Sequence, residues 1–279
     1  MTLSYQTFSD TQAASRFLAE RREAWLLGGG TILVRRVNEG DISISTYVRL
    51  LTPELKQIHV ADNTIRLGAG VTMATIAKTP ALAFLAPVAR SIGGPGVRSA
   101  ATVGGNLFAR SPHGDFGVAL LVLDAVVCIE GPEGCNEVDL ETFFKSRRQL
   151  ARGSIVTAVR FRRPMPEDFR FVKISRVKPN GAAVLSIAAL LSRTQGHVSA
   201  ARIALGAMAN TPVRAHNLEA ALRETTLTPR DIERAVVSAA ADTTPRLMRS
   251  PANGTGRQCF PFISAGCSRP EFLHLPRAA

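Results

Sequence analysis

The rest of this chain is organised around the sequence GGPGVRSAATVGGNLFARSPHGD, from Gly93 to Asp115. It holds two glycine clusters with an apolar step between them, and it ends on an acidic residue that opens the next helix. The pair Gly104-Gly105 lies between the β-forming pair Thr102-Val103 and Asn106. This order predicts a strand that ends in a tight turn, whose backbone amides can face an anion with no Cβ in the way. The stretch is typical of a phosphate-binding turn.

Neither of the best-known phosphate loops matches this stretch. A Walker loop requires Gly, four residues and then Gly-Lys-Ser or Gly-Lys-Thr, whereas the segment from Gly93 to Ser99 contains no lysine. A dinucleotide fingerprint of the form G-x-G-x-x-G is also absent. The glycines alone therefore fit a pair of ordinary turns in a mixed α/β protein equally well.

A second glycine cluster lies upstream. The apolar run Trp25-Leu26-Leu27 leads into Gly28-Gly29-Gly30-Thr31 and then into the helix-like segment from Ile32 to Val37. Three glycines after a strand and before a helix leave free N–H groups, which favour bound negative charge. Two such loops in one domain could hold the two phosphates of one dinucleotide.

The two loops together resemble a known family. The motifs LLGGGT and TVGGN, with Val97-Arg98 before the second and Ser111-Pro112-x-x-Asp115 after it, are similar to the flavoprotein (medium) subunit of the molybdenum hydroxylases. That family includes the FAD subunits of carbon monoxide, nicotine and ketone dehydrogenases and the middle domain of xanthine dehydrogenase. The resemblance covers about residues 1 to 245 and is strongest over residues 90 to 130.

The resemblance implies an α+β fold with two domains. We expect a two-lobed FAD-binding domain of the PCMH type over residues 1–166, with lobes of about 1–57 and 58–166. A small α+β C-terminal domain, a three-stranded sheet with helices, is expected over residues 167–245. The boundary agrees with Pro164 and Pro166, because prolines interrupt strand pairing.

The remaining 34 residues, 246–279, depart from the family pattern, since they are basic and proline-rich with no helical or strand period. One hypothesis is a natural disordered tail. The favoured hypothesis is a shifted reading frame that replaced the last helix of the domain.

The residue pattern also predicts individual elements and their caps. A capping box of Ser9 and Gln12 predicts the first helix, and Asp115 is expected to cap a helix over residues 116–123. Strands are predicted at 24–27, 42–48, 59–60, 64–69, 125–130, 155–161, 169–177, 183–192 and 198–208, and helices at 72–78 and 80–91. Two further helices are expected to begin at Thr211-Pro212 and Thr228-Pro229.

The resemblance also implies which residues hold the cofactor. The first loop and the TVGGN turn would hold the diphosphate and ribityl chain of FAD, and Asp115 would fix the nucleotide end through a hydrogen bond. Lys173 lies near positions that pack on the flavin ring in relatives but is not included. The predicted cofactor-binding residues are Gly28, Gly29, Gly30, Thr31, Ile32, Leu33, Ala101, Thr102, Val103, Gly104, Gly105, Asn106, Ala109, Asp115 and Val156.

Composition limits the other functions. The net charge of +12 is spread along the chain and only 6% of residues are aromatic, which does not favour nucleic-acid binding. No apolar run of about 18 residues and no signal peptide are visible, so we expect a cytoplasmic protein without a membrane span. The four cysteines show no metal spacing and are expected to be free thiols, and no metal site is predicted.

We recognise no catalytic set of side chains, so a bound flavin would supply the chemistry. The resemblance implies an oxidoreductase complex in which a molybdopterin-binding large subunit hydroxylates the substrate and a small subunit with [2Fe-2S] clusters relays electrons. The FAD of this chain would pass them to NAD+, a quinone, oxygen or another acceptor.

Two alternatives remain open. The first is a self-contained FAD-dependent oxidoreductase of the same superfamily, which activity of the isolated chain on a small organic substrate would favour. The second is a flavin-free assembly subunit, which failure to take up flavin would favour.

Overall fold

The structure is a computed structural model that describes residues 3–177 and 181–244. Helices and strands follow one another irregularly along it, and the strands form three separate sheets. The predicted α+β class is confirmed. The segment 246–279, for which we weighed a disordered tail and a shifted reading frame, lies outside the described residues.

The first sheet is small, parallel and three-stranded, in the order β1–β3–β2. Its elements are β1 (Ser4–Phe8), α1 (Thr11–Glu20), β2 (Ala24–Leu26), α2 (Leu33–Asn38) and β3 (Thr46–Leu50). Ala14 and Leu18 of α1 pack on the sheet, whereas α2 has no buried residue. The first glycine loop therefore joins a strand to a loosely packed helix.

The second sheet has five antiparallel strands in the order β4–β5–β8–β6–β7. The strands are β4 (Ile58–Val60), β5 (Thr64–Gly68), β6 (Val126–Gly131), β7 (Gly134–Asp139) and β8 (Ile155–Arg162). The accompanying helices are α3 (Met73–Lys78), α4 (Ala86–Arg90), α5 (Pro95–Ala100), α6 (Val103–Leu107), α7 (Asp115–Val122) and α8 (Leu140–Ser146). Every residue of α7 is buried, which places this helix inside the largest hydrophobic core.

The third sheet packs against the same central helix. Its order is β12–β11–β10–β9, and α7 contacts both β10 and β11. The elements are β9 (Phe169–Ser175), β10 (Ala183–Thr194), β11 (His197–Gly206), β12 (Val213–Arg214), α9 (His216–Leu222) and α10 (Pro229–Ser238). The short strand β12 is an addition to the three strands that the sequence predicts.

Three predicted helix starts are wrong. Asp10, not Ser9, caps α1, because its carboxylate accepts from the amides of Gln12 (3.3 Å) and Ala13 (2.9 Å). Asp115 is the first residue of α7 and does not cap it; Gly114 stands at the cap, and the Asp115 carboxylate is engaged elsewhere. No helix begins at Thr211-Pro212, because strand β12 intervenes before α9 starts.

The start at Thr228 is confirmed. Its hydroxyl accepts from the amide of Asp231, and the Asp231 carboxylate accepts in return from the amide of Thr228. This reciprocal capping box satisfies two donors that a helix start otherwise leaves unpaired.

Other differences follow from tertiary contacts. Residues 102–103 are not a strand, because Thr102 makes a single bridge to Thr72 and helix α6 starts at the next residue. The helix predicted over residues 80–91 splits into a 3₁₀ segment, Pro80–Leu85, and α4. The strands and α-helices that the sequence did not predict are β1, β7, β12, α5, α6 and α8. No helix within residues 3–177 and 181–244 is long and apolar enough to span a membrane.

Candidate functional site

The first glycine loop lies against the segment that precedes α6. An added Cβ on Gly29 would lie 1.6 Å from the Ala100 carbonyl oxygen, so position 29 has no room for a side chain. Gly30 has φ +74°, a left-handed conformation that side chains strain. Glycine is therefore required here by close approach and by backbone conformation.

The amides of residues 28–33 make no hydrogen bond to another described residue. The flanking amides do: Leu27 donates to the Val48 carbonyl (2.7 Å), and Val34 donates to the Gly30 carbonyl (2.9 Å). These residues are exposed or half-buried, so a ligand can reach their amides, and a consecutive run of such donors forms an anion-binding surface. The first loop thus has the donor set that a phosphate group requires.

The second loop is built differently. Thr102 caps α6, and its hydroxyl accepts from the Gly105 amide at 3.2 Å. The amides of Val103 and Gly104 donate to the carbonyls of Val71 (2.9 Å) and Ala69 (2.8 Å). Because these amides are already paired inside the protein, the expectation that they face an anion is not met in this structure.

The fold brings the two predicted loops together. Besides the contact of Gly29 with Ala100, an added Cβ on Gly28 would lie 3.1 Å from the Thr102 hydroxyl oxygen. An added Cβ on Gly105 would lie at the same distance, 3.1 Å, from that oxygen. Thr102 therefore stands between the two glycine clusters, and a ligand on the first loop lies next to the start of α6.

Beyond the second loop, Asp115 of helix α7 forms an ion pair with Lys173 of the third sheet. Its Oδ2 accepts from Lys173 Nζ at 2.7 Å, and Lys173 also donates to the Ser91 carbonyl at 3.0 Å. Both side chains are buried, with 6% and 9% of their surface exposed. Lys173 belongs to β9, so this pair ties the third sheet to the helices around the second loop.

His113 stands near this pair. Burial lowers the pKa of its imidazole below the ordinary 6.5, and Lys173 and Arg35 lower it further, while Asp115 opposes the shift. This shift favours the neutral form of His113, which can donate from one ring nitrogen and accept at the other. Arg35 belongs to α2, which follows the first glycine loop, whereas Asp115 follows the second. Charged residues near both loops therefore affect the pKa of His113.

The other predicted residues shape the site without offering donors. Ala101, Val103 and Val156 are buried in one hydrophobic core, and α6 packs against β8, the strand of Val156. Ala109 is also buried, two residues after the end of α6. Asn106 bridges towards α7, because its Oδ1 accepts from the Phe116 amide at 3.1 Å.

Sequence reasoning left Lys173 and His113 outside the predicted set. Strand alternation places Lys173 on the same face as Phe169 and Phe171, and both phenylalanines pack on the main core. A charged residue on the apolar face of a strand was the sequence feature that could have identified Lys173. For His113 we find no comparable feature.

The arrangement is chemically a binding site. It offers a run of unpaired backbone donors, an imidazole and a buried carboxylate–ammonium pair. Within the described ranges, no group of three or more His, Cys, Asp or Glu side chains is placed to hold a metal ion.

Two family descriptions match the chain. Residues 1–164 match the family described as the FAD binding domain in molybdopterin dehydrogenase. Residues 170–253 match the CO dehydrogenase flavoprotein C-terminal domain.

Individual proteins agree with these matches. A xanthine dehydrogenase FAD-binding subunit of Escherichia coli O157:H7 is 26% identical over 254 residues, which cover 87% of each chain. The nicotinate dehydrogenase FAD-subunit of Eubacterium barkeri is 32% identical over 174 residues, 57% of this chain and 58% of that protein. A chain of the reconstituted CO dehydrogenase from Oligotropha carboxidovorans has the same fold, with a TM-score of 0.85 over 95% of this chain and 94% of its own, at 24% identity.

Proposed function

This chain belongs to the FAD-binding family of the molybdopterin dehydrogenases, and we propose how this member holds its flavin and exchanges electrons with its partners. It is an FAD-binding (medium) subunit of the molybdenum hydroxylase type and therefore an oxidoreductase component. The proposal concerns the residues that bind FAD, the partner subunits and the electron acceptor.

The single observation that carries the binding proposal is the run of unpaired amides at residues 28–33. We assign the diphosphate of FAD to this loop. Its residues Gly28, Gly29, Gly30, Thr31, Ile32 and Leu33 present their N–H groups to the phosphate oxygens. Because Gly29 has no Cβ, the loop can lie close to Ala100, and a diphosphate bound to the loop then lies next to the second loop.

The second loop has a different proposed role, since its amides are paired. Gly105 and Asn106 reach the surface, and the lack of a side chain at position 105 lets the backbone approach the ribityl chain closely. The buried residues Ala101, Thr102, Val103 and Gly104 support them from within. Ala109 and Val156 add apolar contacts, and Asp115 accepts a hydrogen bond from the flavin nucleotide. Lys173 shares the Asp115 carboxylate at 2.7 Å, so we add Lys173 to the proposed set.

Bound FAD would supply the redox chemistry, taking electrons one at a time from iron–sulfur clusters and passing two on to an acceptor. The residues of this chain bind and orient it. The buried pair of Asp115 and Lys173 fixes two hydrogen-bonding groups near the cofactor, because buried polar groups with partners are held in one orientation.

We propose that the chain works in a complex. Its partners would be a molybdopterin-binding large subunit and a small subunit with [2Fe-2S] clusters, and NAD+ or another acceptor would receive the electrons. Supporting this, relatives are described as FAD-binding subunits of larger dehydrogenases. We also propose the division into an FAD-binding domain, 1–166, with lobes 1–57 and 58–166, and a C-terminal domain, 167–245. Cytoplasmic location stays a prediction.

The test is FAD retention by the full-length chain after incubation with excess FAD and desalting. We expect about one flavin per chain in the wild type and strong loss in Gly29→Ala, because its Cβ would collide with Ala100. Gly96→Ala is the matched control. An added Cβ on Gly96 meets nothing within 4 Å, and this glycine lies within α5, ahead of the second loop.

Equal retention by Gly29→Ala and the wild type would refute the assignment of the diphosphate to the first loop. No retention by the wild type would refute FAD binding by the isolated chain. Repeating the incubation with co-purified partner subunits then shows whether FAD binding needs the assembled complex.

A further inference from the structure

The segment between α6 and α7 contains Ala109 and ends just before Asp115. Within residues 107–113, only Leu107 belongs to a helix, as the last residue of α6. Asn106 links the two helices that flank this segment, because its side chain accepts from the Phe116 amide at 3.1 Å. The first residues of the segment are held by a residue distant in sequence, Arg147.

Arg147 holds the exit of α6 through two carbonyl groups. Its Nη1 donates to the Leu107 carbonyl and its Nη2 to the Ala109 carbonyl at 3.1 Å. Carbonyls at the end of a helix lack intrahelical donors, and a cation at that end also interacts favourably with the helix dipole. A planar guanidinium can donate to both carbonyls at once, which an ammonium group cannot.

Arg147 is itself rigidly placed. It follows the last residue of α8, and its amide donates to the Phe143 carbonyl at 2.7 Å. Its guanidinium lies 5.4 Å from the centre of the Phe144 ring, and Phe143 and Phe144 are buried. Phe143 also meets the ring of Phe108 edge to face at 5.6 Å. Helix α8 thus contacts three consecutive residues of the segment, 107, 108 and 109.

No carboxylate in the described part of the chain pairs with Arg147, although the residue is half-buried. Burial, with Arg148 and Arg110 nearby, lowers its pKa to about 10. The group stays protonated at neutral pH, so an uncompensated positive charge lies beside the proposed cofactor loop. Such a charge favours an anionic ligand in its neighbourhood.

We infer that Arg147 is a positioning residue for the flavin: by holding the carbonyls of Leu107 and Ala109, it sets the path of the chain from the TVGGN segment to Asp115. This inference rests on the proposed function and deepens it, because it adds a residue that does not belong to either glycine loop. The role needs both the charge and the two-pronged geometry of the guanidinium.

The experiment compares Arg147→Met, Arg147→Lys and Arg148→Gln in the flavin-free full-length chain. FAD affinity is measured by the change in flavin fluorescence. Arg148 is the matched control, because it is exposed and its substitution removes the same charge one residue away. We expect Kd to rise about tenfold in Arg147→Met, about threefold in Arg147→Lys, and less than about twofold in Arg148→Gln.

A second measurement does not need flavin. Hydrogen exchange at the amides of residues 107–113 is expected to become faster in Arg147→Met and partly recover in Arg147→Lys, while residues 28–33 are unchanged. A general loss of stability would instead raise exchange across the whole chain. The local pattern therefore separates positioning from a merely structural role.

The inference is overturned if Arg147→Met leaves both Kd and local exchange unchanged, or if Arg148→Gln weakens FAD binding equally. If the wild type binds no FAD, the proposed function fails, and exchange still decides whether Arg147 holds the segment. If Arg147→Met then raises amide exchange equally across the whole chain, the inference is overturned as well.

Discussion

The two glycine loops look alike in sequence and differ in how the fold uses them. The first loop, residues 28–33, has unpaired amides and joins a helix with no buried residue. In the second, Val103 and Gly104 are fully buried, and their amides donate to the carbonyls of Val71 and Ala69. The first loop is open to a ligand, whereas the second is part of the core.

The two loops show that glycine serves two separate structural purposes in one site. In the first loop it provides a backbone conformation and free donors. In the second it lets a helix approach a neighbouring segment closely, since an added Cβ on Gly104 would lie 3.0 Å from the Ala69 Cβ. Changes in the first loop should mainly affect the ligand, and changes around the second should mainly affect stability.

The largest expected effect concerns the buried ion pair of Asp115 and Lys173, which follows the second loop. Lys173→Met leaves the buried Asp115 carboxylate without its partner, and we expect a loss of about 3–5 kcal/mol in the free energy of unfolding. Urea denaturation measures it. Lys145→Met breaks a pair whose lysine is exposed and should cost less than about 0.5 kcal/mol.

A second variant makes this prediction specific. A double variant, Lys173→Met combined with Asp115→Leu, removes both charges. It should recover much of the free energy of unfolding that Lys173→Met loses, because no buried charge is then left unpaired. Equal costs for Lys173→Met and Lys145→Met would contradict the claim that the Asp115 pair is buried and structural.

The next effect compares the two loops directly. Gly104→Val forces a branched side chain against Ala69, and we expect a stability loss of about 1–3 kcal/mol. Gly29→Val collides with Ala100, but the loop is only partly buried and can move aside, so its loss should stay below about 1 kcal/mol. Thermal unfolding of the flavin-free chain measures both. A larger loss for Gly29→Val than for Gly104→Val would reverse our interpretation.

A smaller effect concerns the residue between the loops. Thr102→Val removes the hydroxyl that caps α6 and should cost about 1 kcal/mol. Thr228→Val removes the corresponding cap of α10, far along the chain, and should cost a similar amount. Only Thr102→Val should also weaken FAD binding, since Thr102 contacts both glycine clusters. If both variants bind FAD as tightly as the wild type, Thr102 contributes only a cap.

The smallest effect is a pH dependence at His113. Its pKa is lowered in the folded state, so as pH falls below 6.5 the unfolded chain takes up a proton first and stability decreases. The loss continues until pH reaches the lowered folded pKa. We expect the stability of His113→Gln to fall less than that of the wild type between about pH 7.5 and pH 5.5. Identical slopes in urea titrations would show that folding does not lower the pKa of His113.

Much of the fold follows from local patterns. The alternation of apolar residues predicts β9, β10 and β11, and Thr228-Pro229 predicts the start of α10 because the cap and the first helical residue act locally. Strand β1 was not predicted, since most of its residues are exposed and it is held by pairing with β3. Helix α6 was not predicted, because two glycines disfavour a helix that Thr102 and the carbonyls of Ala69 and Val71 nevertheless stabilise.

The site shows the same division. The glycine clusters and Asp115 are visible in the sequence as short motifs. Lys173 and Arg147 are not, because they lie 58 and 40 residues from the groups that they contact, Asp115 and Leu107. A sequence read locally does not show which distant cation reaches a given carboxylate or carbonyl.

The α+β class, the family and the two glycine loops can be predicted from the sequence, since these depend on residue types at short spacing. Which loop keeps its amides free, and which residues pack around Asp115, depends on the packing of distant segments. The physical reason is that hydrogen-bond acceptors for a backbone amide, and partners for a buried charge, come from whichever segment the fold packs nearby.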